Sequence, residues 1–358
     1  MKWAHSMMKF IKSKPFVHFI LFGLILSLAQ VFALPGVGIL PTSFARGPGY
    51  FMIVAIIVLG YYVLLGHAGL ASLGTAGFVG LGTYMTGFLL SRTSIPPFII
   101  LIICILLGIL LGIVVGFISL RIEGMYLAII TLGLSEILVV VFKNFTAFTG
   151  GISGLNTYGI TPSFSGLFDL GSGTNLRPYV YFLTVVIFVI IMILTYNLIK
   201  SPVGRAMLAM KNSESAAQAM GVSLLKYRLL AFVVTTVYCM IAGFLYMYYY
   251  AYSNPLSWNL NLSLNILAAV VIGGTSSIWG ILLGAFIVFS LNDIVLSNIV
   301  FFQQNPNTII LINGLLMILV VMFYPGGISQ LIFQTKLKIK AWQLKRQQKG
   351  KPEAIDHA

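Results

Sequence analysis

The sequence is a succession of long apolar segments, which a soluble protein of this size could not cover. Residues 97–119, for example, contain no charged side chain. A helix needs roughly 20 apolar residues to cross the hydrocarbon core of a bilayer, so the 358 residues have room for about ten crossings. The predicted spans are residues 16–34, 50–66, 66–90, 97–119, 124–142, 179–199, 229–251, 262–278, 280–298 and 308–324.

The composition supports the same class of protein. Hydrophobic residues make up 59% of the chain and charged residues 8%, whereas a soluble domain is about a quarter charged. The first apolar segment resembles a signal peptide but exceeds the usual length of its apolar core, so we expect it to be retained as a span. We therefore predict an all-α, polytopic integral membrane protein with one membrane domain, residues 16–328.

The distribution of basic residues predicts the orientation in the membrane. The net charge of +14 could indicate a nucleic-acid partner, but the Lys and Arg residues lie at the ends of apolar segments, so we expect none. They concentrate in residues 1–15, 200–228 and 329–358. With ten spans these segments lie on one side, which the positive-inside rule assigns to the cytoplasm. Both termini are then cytoplasmic, and residues 143–178 form an external loop.

The stretch 66–90 is rich in small residues between apolar side chains, among them Gly69, Ala71, Gly74, Ala76, Gly77, Gly80, Gly82 and Gly87. Small residues let helices approach closely, and a broken helix is tolerated only where it is buried or lines a cavity. We expect a packed or pathway-lining element. The chain contains no GxxxxGK[ST] sequence, so we expect no nucleotide binding here. Cys104 and Cys239 lie far apart in apolar segments, and we expect no metal site, disulfide framework, cofactor or catalytic residue.

An ionisable residue inside a predicted span is a functional candidate, because its insertion costs free energy. Glu136 either pairs with Lys143 or another helix, or contacts a solute on its pathway. Asn265 and Asp293 admit the same two interpretations. The candidates for the pathway are Ser72, Thr75, Thr83, Thr131, Glu136 and Asn265.

The polar stretch 200–228 is the long interior segment with the pattern of a helix in water. Ser215 and Gln218 have the spacing of a capping box, and Gly221 stands where a helix would stop. Such a short helix is marginal by itself, so it needs a surface to pack against. That surface is either a cytoplasmic partner protein or the anionic face of the bilayer, and the spacing alone does not decide between them.

Residues 201–222, SPVGRAMLAMKNSESAAQAMGV, resemble the cytoplasmic coupling segment of bacterial ABC importer permeases. Their pattern is similar to that of the branched-chain amino-acid permease family. Further similar segments, spread over residues 64–328, are LLGHAGLASLGTAGFVGLGTY, LRIEGMYLAIITLGLSEI, TGGISGL, VVIGGTSSIWGILLGA and YPGGI. The chain resembles the longer of that family's two permeases.

The resemblance implies a multi-pass subunit of the bacterial inner membrane. Its implied partners are a second, homologous permease, two ATP-binding cassette ATPases, and a periplasmic or lipid-anchored solute-binding protein. The wider importer pattern has Glu directly before the paired alanines, whereas this chain has Ser215 there. The residues implied to couple to the ATPase are Arg205, Glu214, Ala216, Ala217 and Gly221.

The resemblance implies import of branched-chain amino acids, and related permeases for urea or short amides remain an alternative. A secondary carrier working alone and a receptor-like scaffold are the other classes. The long helical loop argues against the first, because a carrier needs no such element. The glycine-lined spans argue against the second.

Overall fold

The computed structural model describes residues 15–32, 43–93, 95–119, 125–158 and 178–291, with scattered positions between 314 and 337. These ranges are mostly helical. Five helices are long and apolar enough to cross a membrane: Gly47–His67, Pro97–Phe117, Tyr126–Asn144, Val180–Lys200 and Leu224–Tyr250. The prediction of an all-α polytopic membrane protein is confirmed, while the count of ten and the cytoplasmic termini stay predictions. Asp293, most of the span predicted at 308–324 and both termini lie outside the described residues.

The helices follow the predicted order along the chain. They are α1 (Pro15–Phe32), α2 (Ser43–Tyr61), α3 (Thr75–Arg92), α4 (Pro97–Ser119), α5 (Met125–Asn144), α6 (Thr146–Thr149), α7 (Pro178–Lys200), α8 (Pro202–Asn212), α9 (Glu214–Ala219), α10 (Leu224–Tyr250), α11 (Leu260–Gly273) and α12 (Ile278–Ala285). A π-helical turn, Tyr62–His67, continues α2, and another, Phe286–Ser290, continues α12. Short 3₁₀ turns occupy Gly151–Ser153 and Pro255–Trp258.

Several boundaries differ from the sequence prediction: α2 begins at Ser43, seven residues before the predicted start, and α11 ends at Gly273, five residues before the predicted end. In the span predicted at 66–90, the first two residues end the π-helical turn, the next seven, 68–74, are non-helical, and the helix starts only at Thr75. The span predicted at 229–251 begins five residues earlier, at Leu224. The polar residues at the start of α10 look like loop in the sequence, but their helical conformation is stabilised by an ion pair described below.

The two ends of α10 face different surroundings. At its first residue it follows the short helices α8 and α9, and at its last it runs into strand β2 (Tyr252–Ser253). That strand pairs antiparallel with β1 (Leu155–Asn156), in the segment after α5. The β1–β2 ribbon and the α8–α9 segment therefore lie at opposite ends of the helix bundle.

The core is built around α10, which packs against α2, α3 and α4. On α4 a row of glycines, Gly108, Gly112 and Gly116, faces α10. A side chain at Gly108 would lie 3.0 Å from the Cα atom of Val237, and the Thr236 hydroxyl donates to the Gly108 carbonyl at 2.9 Å. Small residues at this spacing allow two helix backbones to touch.

Helices α3 and α10 also approach through a glycine, which gives a test of the packing. A methyl group at Gly82 would lie 2.7 Å from the Met240 carbonyl oxygen and 2.9 Å from its Cα atom. Gly82→Ala is expected to cost about 2 kcal/mol of stability, because backbone must move. The measurement is thermal unfolding in detergent. The matched control is Gly133→Ala on α5, where nothing lies within 4 Å of the added carbon; equal unfolding temperatures for both variants would contradict this packing.

Candidate coupling and pathway sites

The segment after α7 turns sharply because of its sequence. Ser201 caps the start of α8 by accepting a hydrogen bond from the Gly204 N–H at 3.3 Å, and Pro202 occupies the first turn. Proline and serine are favoured at these positions. Gly204, Met207 and Met210 are buried, whereas most of the remaining residues of α8 are exposed or half-buried. The helix therefore lies with one side on the bundle and the other in solvent.

A second, shorter helix follows, and its cap differs from the predicted one. Ser213, not Ser215, accepts a hydrogen bond from the backbone N–H three residues on, that of Ala216, at 3.3 Å. The capping-box prediction was therefore wrong by two residues: Ser213 is the extended residue between α8 and α9 and so has the backbone shape of a cap. The predicted stop at Gly221 is confirmed. Its φ of +80° is the left-handed conformation that favours glycine, and its N–H donates to the Gln218 carbonyl.

The exposure of α9 divides the predicted coupling residues into two groups. Ala217 is buried against the protein, at 4% exposure. Ala216 and Gly221 are exposed, and so is Arg205 on α8. Met220, directly after α9, is 85% exposed and was not singled out in the sequence. An apolar side chain held in water at the tip of a loop marks a surface that a partner can cover.

Glu214 forms an ion pair with Arg228 at the start of α10. The Arg228 side chain is 10% exposed and that of Glu214 is 51% exposed. A buried cation requires a partner, since desolvating it alone is costly. The pair therefore fixes the first turn of α9 to the first turn of a membrane-spanning helix. Sequence reasoning missed it because the Gly221 turn separates the two residues, and the path of the chain after a turn cannot be read from the local pattern.

A second contact ties α8 to the re-entrant turn after α2. The Lys211 ammonium donates to the Gly66 carbonyl at 2.8 Å, and its aliphatic chain covers Gly69, which has a φ of +72°. Burial lowers the pKa of Lys211 below its usual range, because the charged form loses hydration. These two polar contacts thus add to the buried side of α8 in attaching the 200–228 segment to the bundle.

Two of the four predicted pathway hydroxyls hold the irregular segment 68–74 in place. The Leu73 N–H donates to Thr131 Oγ1 at 3.0 Å and the Gly74 N–H to Ser72 Oγ at 3.3 Å, while the Ser72 N–H donates to the Tyr61 hydroxyl at 3.2 Å. The Thr75 hydroxyl lies 3.3 Å from that of Ser263. Irregular backbone inside a membrane must find such partners. Ser72, Thr75, Thr83 and Thr131 are all buried, and their place on a solute pathway stays a prediction.

Glu136 and Asn265 are both exposed. Glu136 lies roughly 16 Å along α5 from its first residue, near the middle of a span. Its exposed neighbours on α5 include Ile129, Ile137 and Val140. Among the residues that the structure describes, Glu136 makes no ion pair with Lys143 or with any other cation. A carboxylate on an apolar face at this depth needs cover by protein or water.

These observations define a multi-pass helical membrane protein with an ordered two-helix segment at one end of its bundle. Residues 43–321 match the family described as "Branched-chain amino acid transport system / permease component", and the chain belongs to this family. It is thus the membrane subunit of an ABC importer, and such a subunit works in a complex with others.

Two curated relatives are similar to most of the chain. One is the high-affinity branched-chain amino acid transport system permease protein LivM of Salmonella typhimurium, 29% identical over 314 residues, which cover 83% of this chain and 72% of the relative. The LivM protein of Escherichia coli K12 has the same identity and coverage. No solved structure matches the chain.

Proposed function

We propose that this protein forms half of the membrane pathway of an ATP-driven, binding-protein-dependent importer of branched-chain amino acids. The names of the two LivM relatives support this solute. On this proposal the chain crosses a bacterial inner membrane ten times with cytoplasmic termini. It pairs with a shorter homologous permease, binds two ATPases below and receives solute from a periplasmic or lipid-anchored binding protein.

The observation that carries the proposal is the exposed tip of the 200–228 segment. Its exposed members Ala216, Met220 and Gly221 form a small apolar projection at the basic end of the bundle. Such a projection fits a groove in a cytoplasmic partner, as the implied coupling segment of an importer requires. Its attachments through Glu214 and Lys211 support transmission of force into the spans.

The mechanism follows from these attachments. When ATP draws the partner ATPases together, the docked tip shifts, and α9 carries the first turn of α10 with it through the ion pair. ATP binding can drive transport only if ATP binds the outward-open and inward-open states with different affinities. The solute must likewise bind these two states with different affinities. Arg205 stays exposed beside this lever, where it can contact the same partner.

The exposed face of α5 is the proposed permease-to-permease boundary along which solute passes. Glu136 lies on this face, and at Gly133 one turn away there is open space for at least a carbon atom. A partner subunit or pathway water would supply the polar surroundings that a carboxylate needs. Asn265 on α11 is exposed as well, and α11 contacts α5.

A variant of Glu136 tests this boundary. Glu136→Leu is expected to lower leucine uptake at least about tenfold, because a charged group's hydrogen bonds within the pathway are lost. ATPase copurification should stay intact. The matched control is Ile129→Leu, two helical turns away on the same face. Unchanged uptake together with a more stable protein would instead mean that this face meets lipid.

Reconstitution of the complete importer in proteoliposomes tests the proposed function as a whole. Labelled leucine should accumulate only with ATP and the binding protein, and excess isoleucine or valine should compete while urea should not. Uptake of leucine without ATP would favour a stand-alone carrier. Competition by urea or short amides would keep the importer mechanism and reject the proposed solute.

A further inference from the structure

A cavity of about 1100 Å³ opens at the end of the bundle that carries α8. It is bounded by α1, the π-helical turn after α2, the end of α7, one side of α8 and the turn between α11 and α12. The pathway residues discussed above do not line it. We call it the basic cavity, after the five basic side chains in its wall: His18, His67, Lys200, Arg205 and Lys211.

The charges of this wall are unbalanced. Within the described part of the chain, no Asp or Glu lines the cavity, so Lys200, Arg205 and Lys211 face a shared volume without a counter-charge. Like charges in one partly enclosed site raise each other's free energy, because less water is present to screen them. An anion in the cavity would remove that cost.

Several polar groups in the wall are positioned to contact such an anion. His67 is 7% exposed; its imidazole interacts with the Tyr62 backbone, while its Nδ1 atom has no hydrogen bond of ordinary geometry among the described residues. Buried polar atoms normally have a partner, and an anion or a water in the cavity could supply one. The hydroxyls of Thr275, Ser276 and Ser277 complete the polar part of the wall. Together these groups suit an acceptor with several oxygen atoms.

The rest of the wall is aromatic and borders an apolar surface. Phe19, Tyr196 and Trp279 line the cavity, and the Phe19 ring contacts both of the others, with ring centres 5.7 Å apart in each pair. Trp279 is also 40% exposed, and α1 presents exposed Ile and Leu side chains beside it. Tyr and Trp favour the level of the lipid headgroups. The cavity is thus open to molecules that are apolar at one end and anionic at the other.

We propose that the basic cavity binds a phosphate group. A phosphodiester of an anionic phospholipid and free inorganic phosphate share this chemistry, and basic pockets between spanning helices at the cytoplasmic side are known to suit lipid headgroups. Because Lys211 and Arg205 belong to α8, an occupied cavity would hold the 200–228 segment against α1 and α7. The inference does not depend on the identity of the transported solute.

The experiment compares phosphatidylglycerol with phosphatidylcholine on the purified full-length chain in detergent, counted by native mass spectrometry. Phosphatidylglycerol should bind preferentially to the wild type. In Lys200→Gln/Lys211→Gln its binding should weaken by about 25-fold, since each cation near an anionic headgroup contributes about fivefold. The matched control, Lys226→Gln, removes an exposed cation at the start of α10 that does not line the cavity, and it should bind as the wild type does.

A second arm distinguishes the source of the phosphate. Inorganic phosphate is titrated against chloride at equal ionic strength, and the unfolding temperature is recorded. Stabilisation by phosphate without preference for phosphatidylglycerol would identify a site for the free anion, and the same double variant should abolish it. Lys200→Arg/Lys211→Arg, which keeps both charges, should preserve binding and so separates loss of charge from loss of fold. Equal binding of both lipids together with no effect of phosphate would overturn the proposal.

Discussion

Met220→Asp is expected to abolish copurification of the ATPase with this permease. Met220 is 85% exposed at the end of α9, so its side chain contributes almost nothing to the fold of the isolated chain. In a complex, a long and adaptable apolar side chain at a projecting tip is suited to fill a pocket. A carboxylate placed in that pocket would be desolvated without a counter-charge. Binding should weaken by at least about 2 kcal/mol, or roughly thirtyfold, as for a central interface residue.

The control for Met220→Asp is Met220→Leu, which keeps an apolar side chain of similar volume and should retain the ATPase. Both variants should unfold at the wild-type temperature, because the side chain has few contacts to lose. Affinity for the purified ATPase is measured by titration in detergent. Wild-type affinity in Met220→Asp would show that the tip lies outside the interface, as expected if the segment rests on the bilayer surface.

Glu214→Gln is expected to uncouple ATP hydrolysis from uptake without releasing the ATPase. The substitution leaves Arg228 largely buried beside a neutral amide. Because Glu214 is half exposed and water screens the pair, the expected loss of stability is about 1–3 kcal/mol rather than that of a fully buried pair. The docking tip stays intact, but α9 is no longer held to α10. Leucine taken up per ATP hydrolysed should therefore fall several-fold.

The reversed pair, Glu214→Arg/Arg228→Glu, separates coupling from simple destabilisation. If the ion pair transmits motion, the reversal should recover part of the uptake per ATP that either single variant loses, and the interaction energy of the double-mutant cycle should be non-zero. Lys226→Gln, next to Arg228 but exposed, is the control and should couple normally. Additive losses in the reversed pair would mean that the two residues act independently.

The fold was largely predictable because one strong constraint, the bilayer, determines both the length of the apolar segments and the placement of basic residues at their ends. Where the structure describes them, the helices overlap the predicted spans in the predicted order, but several of their ends differ by five to nine residues. Contacts between segments that are distant in the sequence were harder to predict. The row Gly108, Gly112 and Gly116 has a spacing that indicates close helix packing and could have been recognised, but nothing local identifies α10 as its partner.

The candidate sites were predicted unevenly for the same reason. The coupling segment has an ordered local sequence, so its helix and its Gly221 stop could be anticipated. The exposure of its individual side chains could not be anticipated: Ala216 is exposed, whereas its neighbour Ala217 is buried. The buried hydroxyls such as Thr131 were natural pathway candidates by residue type. Their hydrogen bonds to non-helical backbone depend on the break at 68–74, which the glycine content suggests without fixing its position.

The glycine row of α4 also limits where this protein can change shape. The α4 backbone lies directly against α10. Sliding one of these helices by one residue would push Val233 and Val237 of α10 over the α4 backbone and break the hydrogen bond from the Thr236 hydroxyl to the Gly108 carbonyl. Packed interfaces of this kind have discrete arrangements and resist gradual shear. Helix α3 is held to α10 just as closely through Gly82. Helices α3, α4 and α10 therefore form a stiff spine, and a displacement that enters at α9 is expected to rotate that spine as a unit.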